Sequence, residues 1–102
     1  MPELLIVFSK KELRTAHAWA RSLGLSCRTL RQRTAVRVRG AGVDGEIGVV
    51  GMRDGGGEPA VVAACDAAAG ARRFFHFGRT LEEALSDLET FINKIRVNSN
   101  GE

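Results

Sequence analysis

From Thr80 onward, Leu81, Ala84, Leu85, Leu88, Phe91, Ile92 and Ile95 recur at helical spacing, so one side of a long helix is apolar throughout. Thr80 and Glu83 form the capping-box pattern at its start. Acidic residues crowd its first turns, and Lys94 and Arg96 sit near its end, matching the helix dipole. A helix this one-sided needs a second layer to cover its stripe. The rest of the chain supplies that layer as β-patterning.

Leu4–Phe8 is apolar at both parities and predicts a central strand. Ser9 and Glu12 form another capping box, with Phe8 and Leu13 at the positions of a hydrophobic staple. The helix that follows buries Leu13, Ala16, Trp19, Ala20 and Leu23 and stops at Gly24. Further strands are predicted at Thr29–Arg39, Glu46–Arg53, Ala60–Cys65 and Arg72–Phe77. Turns are predicted at Gly40–Gly45 and Asp66–Gly70, and a flexible hairpin loop at Asp54–Pro59. The expected class is α+β, a two-layer sandwich in the order β-α-β-β-β-β-α. Both helices pack on one face of a mixed, mainly antiparallel five-stranded sheet. A chain of 102 residues is long enough for one core and too short for two. Residues 1–97 are expected to form a single domain and 98–102 a flexible tail. Apolar residues left on the other face predict closure by sheet curvature or by a second copy of the chain, a homodimer.

Within the Thr29–Arg39 segment, Arg31, Arg33, Arg37 and Arg39 share one parity. On a strand that parity puts their side chains on one face, roughly 6.6 Å apart at i and i+2. Residues 1–43 carry nine Lys/Arg against Glu3 and Glu12, a net of +7; residues 44–102 carry six against ten acids, a net of −4. Lys10, Arg14, His17 and Arg21 add a basic stripe to the first helix. The expected partner is therefore an anion, either nucleic acid or an acidic protein surface. Arg31, Arg33, Arg37 and Arg39 would contact phosphates, assisted by Lys10, Arg14 and Arg21.

Arg72-Arg73-Phe74-Phe75-His76-Phe77 mixes cations with aromatics, as single-strand binders do. Phe75 and Phe77 share one parity, while Arg72, Phe74 and His76 share the other. An exposed Phe74 would be a stacking candidate, and a buried one is the expectation. Residues 40–45 satisfy GxGxxG after a strand, but the fingerprint requires a helix to follow, and another β-pattern follows instead. A hairpin loop is the expected structure. His17, Cys27, Cys65 and His76 have the ligand types of a zinc site without its spacing. Cys65 beside Asp66, with His76 further on, forms no compelling catalytic set. Glu82, Glu83, Asp87 and Glu89 predict a solvated acidic face on the last helix. No enzyme activity, metal or cofactor is expected.

Two cysteines without CxxC or framework spacing suit a reduced, cytoplasmic setting, and Leu4–Phe8 is too short to span a membrane. Gly78-Arg79-Thr80-Leu81-Glu82-Glu83-Ala84-Leu85 resembles the Gly-x-Thr-x-x-Glu-Ala helix start of HicB-type antitoxins over eight residues. That resemblance implies a protein-interaction role. The expected function is a small basic binding module, non-enzymatic, taking nucleic acid through an arginine-lined strand face with low sequence specificity. The alternative is a protein-interaction factor, antitoxin-like or an inhibitor of a nucleic-acid enzyme, docking through the basic strand or the acidic last helix.

Overall fold

The computed structural model describes residues 6–50, 60–68 and 72–99. In chain order these form α1 (Lys10–Ser22), β1 (Ser26–Leu30), β2 (Ala35–Gly40), β3 (Val43–Val50), β4 (Ala60–Ala67), β5 (Arg72–Gly78) and α2 (Leu81–Ser99). The five strands pair consecutively and antiparallel in the order β1-β2-β3-β4-β5. The class is α+β, and the sheet is a pure antiparallel meander with no parallel pairing among the described residues.

Three expectations change. Ile6–Ser9 takes part in no strand; the Phe8 N–H donates to the Arg33 carbonyl at 2.9 Å, and its ring is buried in the core. Ile6 and Val7 are half-buried, and Leu4 and Leu5 of the predicted strand lie outside the described residues. The continuous strand Thr29–Arg39 is instead a hairpin, β1 and β2, broken at Arg31–Arg33. These three turn residues take φ of 48°, 55° and 75°, left-handed values that non-glycine residues rarely adopt. Backbone bonds hold the turn: Thr34 N–H to Arg31 O at 3.2 Å and Val49 N–H to Thr34 O at 2.9 Å. Finally, α2 continues through Ser99, so the tail predicted from residue 98 starts inside a helix. The predicted loop Asp54–Pro59 lies outside the described residues.

The capping box at α1 forms: Ser9 Oγ accepts from the Glu12 N–H while Glu12 accepts from the Ser9 N–H. At α2 one half is present, with Thr80 Oγ1 accepting from the Glu83 N–H at 3.2 Å. Gly24, at φ 73°, ends α1 as the spacing predicts. Inward-facing Val36, Val38, Ile47, Val61, Ala63 and Cys65 meet the buried sides of both helices in one core. α1 lies over β1 and β2, and α2 over β4 and β5. The helices are tied together where Trp19 Nε1 donates to Glu89 at 3.0 Å and where Arg96 donates to the Leu23 carbonyl. Among the described residues the opposite face of the sheet carries no helix.

Candidate nucleic-acid interface

The strand register arranges the helix-free face in rows that cross the sheet. One row runs Arg28, Arg37, Glu46, Ala64, Phe75, and the row beside it runs Ser26, Arg39, Asp44, Asp66, Arg73. On the other side of the first lies an apolar row: Leu30, Ala35, Gly48, Val62, Phe77. Polarity therefore changes along the strands, and the arginines cluster at the β1–β2 end. Arg28 stands directly opposite Arg37, with Arg39 two residues beyond. Like charges so placed repel.

The four-arginine row expected on one strand does not exist as such. Arg37 and Arg39 share the open face, whereas Arg31 and Arg33 belong to the left-handed turn. Three of the four meet the chain's own carboxylates. Arg37 donates to both oxygens of Asp44 at 3.0 and 2.8 Å, Arg39 lies 3.7 Å from Asp44, and Arg31 pairs with Glu46. The bidentate hydrogen bonds from Arg37 hold the Asp44 carboxyl below its ordinary range and raise the guanidinium above its own. Their capacity to hold an external anion is reduced accordingly.

The basic stripe of α1 lies at the same end of the molecule. His17 Nε2 is 3.0 Å from Thr29 Oγ1 on β1, while Trp19, on the opposite flank of the helix, faces α2. Lys10, Arg14 and Arg21, on the flank of His17, therefore border β1, an edge strand of the sheet. All three are exposed, as is Arg28 on the other side of that strand. Among the described residues no carboxylate lies within ion-pair distance of Lys10, Arg14, Arg21, Arg28 or Arg33. A hollow of about 310 Å³ opens at this end, lined by Ser26, Cys27, Arg28, Leu30, Arg37 and Arg39. The sequence gives Arg28 no place in the arginine row, since it lies on the other parity. Only its cross-strand pairing with Arg37 reveals it.

At the other edge the aromatic segment alternates as its parity predicts. Phe74 faces inward, packed on Phe91 with ring centroids 5.4 Å apart, so it is no stacking platform. Phe75 and Phe77 point outward and are 67% and 69% exposed. His76 also faces inward and meets Asp87 through Nδ1 at 2.8 Å. The candidate zinc residues His17 and His76 thus lie at opposite edges of the sheet. Burial raises the Cys65 thiol to about 11 and also raises Cys27. Two members of the acidic face, Asp87 and Glu89, are engaged by His76 and Trp19. The GxGxxG stretch makes a hairpin of two central residues, Ala41 and Gly42, with φ of 51° and 81°.

Comparison with protein-family models, with curated proteins and with solved structures returned no match.

Proposed function

We propose that this protein is a non-enzymatic module that binds nucleic acid through phosphates, with low sequence specificity, around the edge strand β1. The observation that carries this reading is the His17–Thr29 contact, which sets the cationic flank of α1 beside the strand bearing Arg28. Lys10, Arg14, Arg21 and Arg28 then border one strand from two sides, and none has an acid within ion-pair distance among the described residues. Arg39 contributes less because Asp44 competes for it, and Arg37 contributes least. Every side chain in this set offers positive charge to a phosphate, a contact that carries no sequence information.

Four phosphate contacts give a slope of log affinity against log salt near −3.6 on duplex DNA, at about −0.9 per contact. Fluorescence anisotropy with labelled oligonucleotides at several salt concentrations measures it. Changing Arg14 and Arg28 together to Glu abolishes binding while circular dichroism and thermal stability stay unchanged. Retained affinity in that variant rejects the assignment.

The internal pairing of Arg31, Arg37 and Arg39 favours a second reading, a protein-interaction factor whose hairpin docks as a charge-balanced surface. A stoichiometric protein that co-purifies from the native host, with no nuclease-sensitive material, supports that reading over the first.

A further inference from the structure

We infer that the free edge of β5 pairs with β5 of a second copy of this chain, antiparallel about a two-fold axis at Phe75. Among the described residues β5 hydrogen-bonds to β4 on one side only. It runs seven residues, Arg72–Gly78, with no proline, and its arginines, Arg72 and Arg73, stand at one end only. Natural sheets protect long edges with proline or charged residues because an open edge recruits another strand. The other edge, β1, is shorter at five residues and is flanked by cations. Phe75 and Phe77, both about two-thirds exposed, mark the β5 edge as the apolar one.

The occupant follows from charge balance and from register. Asp44, Glu46 and Asp66, in the middle of the helix-free face, are each paired with an arginine of the chain: Arg37, Arg31 and Arg73. The face beside the aromatic pair is therefore charge-balanced and gives a polyanion little hold. The sequence of β5 matches itself in reverse. With Phe75 opposite the partner's Phe75, Arg73, whose guanidinium donates to Asp66 of its own chain at 2.8 Å, falls opposite the partner's Phe77. On the inner side Phe74 falls opposite the partner's His76 and Arg72 opposite the partner's Gly78. No like charges face one another in this register, which is the self-complementarity an isologous interface requires. The arrangement leaves both β1 edges at the far ends of a continuous ten-strand sheet, so it is independent of how β1 is used.

Sedimentation velocity across a range of protein concentrations is expected to show a dimer in equilibrium with monomer. Phe75→Lys places two ammonium groups face to face and raises the dimer dissociation constant roughly tenfold or more, with the monomer fold intact by circular dichroism. Register is tested by cross-linking in a Cys27→Ser background. Phe75→Cys forms a disulfide-linked dimer on mild oxidation, because opposed residues of an antiparallel pair lie about 4.5–5.5 Å apart at Cα. Phe77→Cys, facing Arg73 rather than itself, does not. A monomer at every concentration overturns the inference, as does a dimer that cross-links equally at both positions or at neither. Nucleic-acid affinity is not the readout, so failure here leaves the reading of β1 standing, and the converse holds.

Discussion

Asp44 on β3 holds Arg37 on β2 by both carboxylate oxygens, accepting from Nε at 3.0 Å and from Nη2 at 2.8 Å. Arg39 approaches the same carboxylate at 3.7 Å. One acid therefore restrains two of the arginines that the sequence offers to an external anion. Asp44→Asn is expected to tighten binding to oligonucleotides several-fold at low salt. The salt slope should steepen by up to about −1.8, two contacts at about −0.9 each. Anisotropy titrations of both proteins at matched salt give the comparison, and an unchanged slope would mean that neither guanidinium reaches a phosphate.

The same pair sets an acid dependence. Hydrogen bonding from Arg37 lowers the Asp44 carboxyl from its ordinary 3.8. Its stabilising contribution is present above that value and is lost as pH falls through the lower folded value. The carboxylate is 40% exposed, so solvent screening keeps the contribution small. Urea midpoints between neutral pH and acid should fall less steeply for Asp44→Asn than for the wild type.

Cys65 sets a dependence at the alkaline end. Its thiol is raised from 9.0 to about 11 by burial, so the unfolded chain releases this proton first. Stability is therefore retained below pH 9 and lost as pH rises through about 11, by roughly 2–3 kcal/mol. Chemical denaturation across this range should show the loss, and Cys65→Ala should flatten it. At neutral pH a thiol reagent should modify half-buried Cys27 well before Cys65.

Gly45 on β3 stands opposite Cys65 on β4. A Cβ there would lie 2.9 Å from Cys65 Cβ and 3.0 Å from both Cys65 Sγ and the Ala64 carbonyl oxygen. Two of these atoms belong to backbone or Cβ positions that cannot rotate away. Gly45→Ala should lower stability by about 1–3 kcal/mol, as overpacked core sites do, seen as a lower urea midpoint with unchanged m value.

Gln32 occupies the centre of the β1–β2 turn at φ 55° and ψ 43°, where a side chain is unfavourable by about 1–2 kcal/mol. Glycine relieves that strain and loses part of the gain to its more flexible unfolded state. Gln32→Gly should therefore raise stability by roughly 0.5–1 kcal/mol in thermal and urea unfolding. A decrease would show that the Gln32 side chain is needed for the turn.

Local chemistry was legible from the chain alone. The box at Ser9–Glu12, the Thr80 cap on Glu83, the stop at Gly24 and the stripe of α2 each depend on neighbours within four residues, so spacing determines them. Parity in β5 was equally legible, because alternation is a property of any strand. Tertiary structure decided which parity faces in: Phe91 and Asp87 on α2 receive Phe74 and His76, leaving Phe75 and Phe77 outside. It also decided the fate of the arginine row. Nothing in Arg31-Gln32-Arg33 signals a left-handed turn, since none of the three is glycine, asparagine or aspartate. The break is held by backbone bonds from Phe8 and Val49, distant in sequence. The approach of Asp44 to Arg37 likewise exists only once β2 and β3 are in register, because an ion pair depends on separation in space rather than along the chain.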